Sequence, residues 1–242
     1  MGYKIIAEFV PRPNKGYIDQ LASNIINYVD CFDIPDLPMG LPSIDSISLS
    51  IYIKTVYSKC VFAHTRLYDI NTLMLLSKGY TVKAFNIDVL VVTRGDKPRV
   101  GGIVQELTTE KAIEALRKHL PSLRIGAIIS LRYSIEDILE RLNIGADLFL
   151  VLRFHLSMLD KYIEVSRKAR EKNIELYPYI LVETDVNRGL MKGLGQPTIG
   201  INELEEVVSI TRKYVDGYIV SCPMDGAGLV KALKILNNIR NQ

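Results

Sequence analysis

The chain has 242 residues, of which 48% are hydrophobic and 24% charged, with a formal net charge of +3. That is enough apolar material for one large core, and Pro and Gly are scattered in short groups with no linker-like tract, so a single domain over residues 1–242 is expected. The small net charge argues against a nucleic-acid partner, no apolar run approaches the roughly 20 residues that span a bilayer, and MGYKIIAEFV lacks an apolar leader core, so a soluble, cytoplasmic protein with no membrane partner is expected.

Short apolar, β-rich runs alternate with amphipathic helical stretches, the pattern of βα units that feed a parallel sheet. Eight strands are expected, near Tyr3 to Val10, Tyr28 to Phe32, Lys59 to His64, Asp88 to Thr93, Arg124 to Ser130, Leu148 to Arg153, Glu175 to Val182, and Gly217 to Ser221. Between them, Ser134 with Asp137 and Ser157 with Asp160 place a hydroxyl at a helix N-cap and a carboxylate three residues on. From Met158 to Lys172, Leu159, Tyr162, Ile163 and Ala169 fall near one helical face. Eight strands in a chain of this length fit a compact α/β fold of the (β/α)8 TIM barrel class, which runs to roughly 250 residues. A doubly wound open sheet is the competing fold, weakened because no GxGxxG follows the first strand. In a barrel, the strand C-termini and the loops after them carry chemistry, and the opposite rim carries stability.

Taken in chain order, several strand ends are polar. The first ends in Ala7-Glu8-Phe9-Val10-Pro11-Arg12-Pro13, placing the Glu8 carboxylate in apolar surroundings that would raise its pKa toward general-acid use; a salt-bridged core Glu is the plain alternative. Cys31, Cys60 and Cys222 are odd in number and lack CxxC spacing, which points to buried free thiols and to no metal site. The third strand runs into His64-Thr65-Arg66 and Tyr68-Asp69-Ile70-Asn71, an imidazole, a guanidinium and a carboxylate at one loop. After the fourth comes Thr93-Arg94-Gly95-Asp96-Lys97-Pro98, where a glycine allows close backbone approach and the flanking charges suit polar ligands. The segment Gly189 to Gly200, with Lys192, reads as a mobile cover. Ser221 to Gly228 offers a helix N-terminus at the corner where such barrels often hold phosphate, although a plain turn explains its glycines as well.

Together these pieces resemble the catalytic barrel of the methylenetetrahydrofolate reductases, from the first strand through the seventh. AEFVPRP is similar to that family's EFFPPR-like first strand, HTRLYDIN at 64–71 to its HLTCRDRN-like stretch, and VVTRGDKP at 91–98 to its LALRGDxP signature. IGADLFLVLRF at 144–154, followed by a helix and IELYPYILV, is similar to the AGADxxITQxFF region and the strand after it. The resemblance implies hydride transfer from NAD(P)H through FAD to a 5,10-methylene-tetrahydropterin of folate or methanopterin type. It casts Glu8 as the acid that opens the five-membered ring, and Asp96 as a catalytic and substrate-binding group on the pterin beside the flavin. His64, Thr93, Arg94, Gly95 and Arg141 would contact FAD. Two departures stand out. Val151, Leu152 and Arg153 replace a TQ pair, leaving Arg153 as the substrate-side polar group there, and Ser130-Leu131-Arg132-Tyr133 replaces a YPxxH-like flavin loop. A flavin-free relative is therefore a second reading, one that works with a partner subunit or takes hydride directly from a nicotinamide. A third is a barrel isomerase or lyase acting on a phosphorylated metabolite at the Gly226 to Gly228 corner. Self-association is compatible with all three.

Overall fold

In the computed structural model, which describes residues 2–242, each expected strand forms where a β-rich apolar run meets a turn. The chain runs β1 (Lys4–Glu8), α1 (Lys15–Ile25), β2 (Cys31–Ile34), α2 (Ser46–Tyr57), β3 (Cys60–Arg66), α3 (Thr72–Ala84), β4 (Val89–Thr93), α4 (Thr109–His119), β5 (Ile125–Ser130) and α5 (Ile135–Arg141). It continues through β6 (Leu148–Leu152), α6 (Leu159–Glu171), β7 (Glu175–Glu183), α7 (Arg188–Leu194), β8 (Ile199–Gly200), α8 (Leu204–Thr211), β9 (Gly217–Ser221) and α9 (Gly226–Arg240). Strands β1 to β7 and β9 pair in parallel in that order, and β9 returns to β1, so eight strands close a cylinder. The competing open sheet is excluded by that closure. The two-residue β8 pairs only with the end of β7, Val182 against Ile199, and stands outside the ring.

Strand periodicity divides the core in two. Ile6, Phe62, Val89, Val91, Leu148, Leu150, Tyr177, Tyr179 and Ile219 fill the inside of the cylinder. The alternate residues, among them Ile5, Ala7, Phe32, Val61, Ala63, Leu90, Val92, Phe149 and Val220, pack outward against the helices. At the N-terminal rim, Lys4 Nζ donates to the Tyr177 hydroxyl at 3.0 Å, Arg124 pairs with Glu175 at 2.6 Å, and Tyr177 donates to the same carboxylate. That rim is thus plugged by mutually satisfied charges, leaving the other mouth for ligands.

Four expectations are corrected. Strand β2 begins at Cys31, three residues later than the reading from Tyr28. Asp30 is held in the turn before it by accepting from Ile5 N at 2.8 Å and from Arg240. Ser134 caps α5 as expected, accepting from Asp137 N at 3.0 Å, but Ser157 caps nothing: His155 Nδ1 accepts from Ser157 N, and a 3-10 turn at Leu156–Met158 precedes α6. The glycine-rich 189–200 segment is ordered as α7, ended by left-handed Gly195, and as β8. Finally, Cys31 and Cys60 are not free thiols. They lie opposite each other in the β2–β3 register with Cα atoms 4.4 Å apart, and they are bridged; Cys222 alone is free. No helix among the described residues is long and apolar enough to cross a membrane.

Candidate functional site

The same alternation that fills the barrel carries polar side chains to its C-terminal mouth. Glu8 follows inward-facing Ile6 by two residues, Asp33 follows Cys31, His64 follows Phe62, Tyr179 follows Tyr177, and Ser221 follows Ile219. Five strands therefore contribute one polar layer resting on an apolar floor. His64 Nε2 and Asp33 Oδ1 are 2.7 Å apart, and the Tyr179 hydroxyl donates to Asp33 Oδ2 at 2.6 Å, so both oxygens of a fully buried carboxylate are engaged. Ser221, buried as well, donates its hydroxyl proton to Glu8 Oε2.

The electrostatics follow from this arrangement. Burial is the main force that pushes the Glu8 carboxyl up to about 7; the Asp33 charge adds to the rise, while the Ser221 hydrogen bond and His64 oppose it. For His64, burial works against the charged ring, but the Asp33 carboxylate, by charge and by hydrogen bond, outweighs it and holds the imidazole above its ordinary value. Burial also raises Asp36, in the loop after β2, and drives Tyr179 far up, helped by the Asp33 charge. The mouth thus holds a carboxyl raised to about 7 beside an imidazole whose hold on its proton is strengthened, the pairing that acid–base chemistry needs.

Above this layer sits Arg66, only 2% exposed. Its Nη1 donates to Leu37 O at 2.6 Å, its Nη2 to Asp96 O at 2.7 Å, and its Nε lies 2.7 Å from Asp69 Oδ2. One guanidinium thereby ties together the loops after β2, β3 and β4. Gly95 has φ +78°, and a Cβ there would lie 2.8 Å from Arg66 Cγ, so the glycine admits the arginine rather than a ligand. Four large residues with left-handed backbone also fall in loops of this rim: Leu37 (φ 43°), Met39 (φ 61°), Arg153 (φ 64°) and Met224 (φ 66°). Such strain gathers where a surface is shaped for function.

The sequence-predicted site residues divide accordingly. Glu8 and His64 reach the mouth. Asp96 emerges at the same rim, but its carboxylate accepts from Met39 N at 3.0 Å, which braces the β2 loop. Thr93 Oγ1 accepts from Gly95 N, and Arg94 stacks on Tyr68 and donates to its hydroxyl at 2.7 Å. Arg141, in the last turn of α5, donates to Ile128 O at 2.9 Å and pairs with Glu110 at 2.8 Å, outside the cylinder; its expected reach to a cofactor phosphate is corrected to a helix-to-strand brace. Arg153 stands at the end of β6, half-buried, and among the described residues its guanidinium has no ion-pair partner. At the Gly226 corner, Asp225 caps α9: its Oδ1 accepts from Gly228 N at 2.8 Å and its Oδ2 from Thr184 Oγ1. A fixed carboxylate thus takes the place that a phosphate would need. Among the described residues no cluster of His, Cys, Asp and Glu could hold a metal ion.

The residues set aside for FAD do not fit that group. His64 Nε2 is turned to Asp33, Arg94 is held by Tyr68, Gly95 by Arg66, and Arg141 lies behind the wall. Three residues of the mouth were missed: Asp33, Tyr179 and Ser221. Asp33 was lost because β2 was read as ending at Phe32, one residue short of it. Tyr179 lies inside a run that reads as core, and Ser221 reads as the end of the eighth strand and the start of an anion corner, with nothing local to aim its hydroxyl at Glu8.

No family model and no curated protein matches the sequence. Solved structures do match in fold. EDTA monooxygenase from Chelativorans sp. BNC1 superposes with a TM-score of 0.68 at 11% identity, over 100% of this chain and 94% of that one. Orotidine 5'-monophosphate decarboxylase from Methanocaldococcus jannaschii, complexed with the inhibitor BMP, gives 0.61 at 13% over all of both chains. 3-Keto-L-gulonate-6-phosphate decarboxylase from Vibrio cholerae O1 gives 0.59 at 12% over 99% of each. The chain is a (β/α)8 barrel. At these identities the likeness is one of fold, and the chemistry rests on the side chains at the mouth.

Proposed function

We propose that this chain is an enzyme of one-carbon chemistry that holds a reduced pterin carrier, of folate or methanopterin type, in the C-terminal mouth, with Glu8 as general acid. The observation that carries the reading is the place of the Glu8 carboxyl, half-buried at the end of β1, accepting from Ser221 in the same polar layer as Asp33 and His64, where the AEFVPRP resemblance asks for an acid; its desolvation, which pushes it up to about 7, supports that role. Protonated Glu8 gives its proton to the bridging nitrogen of a 5,10-methylene carrier as the adjacent carbon–nitrogen bond breaks, and the bond pair stays on that nitrogen. The cationic methylene carbon that results accepts hydride directly from a reduced nicotinamide, giving the methyl carrier and the oxidised nicotinamide. Glu8 then regains a proton from solvent. Because the FAD contacts do not assemble, no step runs through a flavin. Arg153, without an ion pair among the described residues at the β6 rim, supplies a cation for the anionic parts of either reactant. The place of action proposed for this chemistry is the cytoplasm.

Calorimetry with tetrahydrofolate and with a methanopterin-type carrier tests binding, and nicotinamide oxidation in the presence of the methylene form tests turnover. Glu8→Gln should retain carrier binding within a few-fold and lose turnover by about a hundredfold or more. A protein that binds neither carrier ends this reading, as does a Glu8→Gln variant with wild-type turnover. Tight FAD binding, with the flavin absorption bands appearing on titration, would return the flavin route.

A further inference from the structure

The pairing of Asp33 with His64 reaches further than Glu8 alone. His64 is buried, yet only one of its ring nitrogens is bonded: Nε2 meets Asp33, while Nδ1 has no protein partner among the described residues and is not among the buried atoms sealed from solvent. The barrel below it is filled by Phe62 and Tyr177, whose rings pack edge to face, so Nδ1 can open only toward the mouth. Asp33 cannot turn away, because Tyr179 holds its second oxygen from the opposite wall. Ser46 Oγ, in α2, is bonded to the His64 carbonyl and pins the backbone as well. A histidine serving only as a core staple would have both nitrogens satisfied, since an unpaired nitrogen sealed from water is costly, whereas this Nδ1 is left open.

We infer that Asp33 is a positioning residue that fixes the His64 ring with Nδ1 presented to the mouth, making His64 a second proton-transfer group beside Glu8. The step is a proton transfer alone. The reaction consumes one proton, which Glu8 gives to the bridging nitrogen. The Nδ1 proton of His64 then passes to the Glu8 carboxylate, the ring stays neutral with its Nε2 proton on Asp33, and solvent restores the Nδ1 proton after product leaves, so Glu8 regains its solvent proton by way of His64. Tyr179 acts one step further out, by holding Asp33. The groups that face the imidazole are Asp33 and Asp36 from β2 and its loop, Glu8 from β1 and Tyr179 from β7; Arg66, two residues on in β3, spends its charge on Asp69 and two carbonyls. Three carboxyl groups around one imidazole favour its protonated form, and among the described residues no cation there is free, Lys78 beside Asp36 being paired with Asp45.

The catalytic half of this inference rests on the proposed carrier site; the positioning half does not, and the test separates them. The chain has three histidines, His64, His119 and His155, so the imidazoles can be followed singly by NMR through a pH titration of the whole free protein. His64 should titrate above the ordinary imidazole value with its proton on Nε2 in the neutral form. Asp33→Asn should lower that midpoint and leave His119 and His155 in place, and Tyr179→Phe, the gentler change, should move it in the same direction by less. An unmoved His64 in folded Asp33→Asn and Tyr179→Phe proteins overturns the positioning role. If wild-type protein turns over a methylene carrier, His64→Gln and Asp33→Asn should each lower kcat by about a hundredfold with KM nearly unchanged, and Asp33→Asn should bring the alkaline limb of the profile to lower pH. Unchanged kcat and profile in both variants overturn the proton-transfer role. Absence of carrier binding, with the NMR shifts as expected, defeats the carrier reading and leaves the Asp33 role upheld.

Discussion

Glu8 shows how one residue can cost stability for the sake of chemistry. Its folded carboxyl titrates at about 7 against an ordinary 4.5. Between those values the folded chain keeps a proton that the unfolded chain has released, so stability falls as pH rises through the window, by a total of about 3 kcal/mol, and stays low above it. Glu8→Gln cannot ionise and keeps an acceptor for Ser221. It should therefore be the more stable protein at pH 8, by up to that amount, and indistinguishable from wild type at pH 4; urea midpoints at the two values measure this, and an equal offset at both would refute the burial account. Arg66 is the opposite case, a buried charge whose every partner is fixed. Arg66→Lys keeps the charge but loses the fork that spans Leu37 O, Asp96 O and Asp69, and should cost about 3 kcal/mol with loosening of all three loops. Gly95→Ala strikes the same hub from the other side and should cost about 2 kcal/mol, from its φ of +78° and the 2.8 Å approach to Arg66 Cγ. Thermal melts of the two variants check both figures.

At the scale of elements, the helix ends determine which ligands the rim accepts. The first turn of α9 would offer backbone N–H groups to an anion, but Asp225 fills that role and also receives Thr184 from the loop after β7. Asp225→Ala should cost about 1 kcal/mol through the lost cap. It should also uncover the helix N-terminus, so that inorganic phosphate raises the melting temperature of the variant and leaves that of wild type unmoved. A wild-type protein stabilised by phosphate at this corner would instead favour the phosphorylated-metabolite reading. Arg141 braces α5 against β5 and α4, and Arg141→Ala should lower stability by about 1 kcal/mol without altering carrier binding. The short β8 and α7 show why glycine content alone does not make a loop: Ile199 pairs in parallel beside Val182 of β7, and Met191 is buried.

At the scale of the whole molecule, the closed cylinder brings together residues that the chain keeps far apart. The Cys31–Cys60 bridge joins neighbouring strands 29 residues apart in sequence and sits inside the barrel, beneath the polar layer. Denatured, unreduced protein should show one reactive thiol, Cys222, and three after reduction. Reduction should cost about 3 to 4 kcal/mol by the loop-closure account for a span of this length. Three thiols before reduction would show the bridge unformed in solution. Closure also separates the two rims by chemistry. Lys4, Arg124, Glu175 and Tyr177 neutralise one another at the N-terminal end, whereas Glu8, Asp33 and His64 leave titratable capacity at the other.

What the sequence determined by itself was the repeating βα pattern, and with it the barrel. Each strand announces itself locally through apolar, β-branched runs, and eight such runs leave few ways to bury them. It also placed Glu8 and His64 at strand ends, because a charge inside an apolar run is visible without neighbours. The tertiary structure decided everything that depends on which side chain meets which. It turned Asp33 inward by moving β2 along the chain, it spent Arg94, Gly95 and Arg141 on braces, it bridged two cysteines through strand register, and it gave the α9 corner to Asp225. Those pairings are set by register and closure around the cylinder, distances that no local spacing encodes.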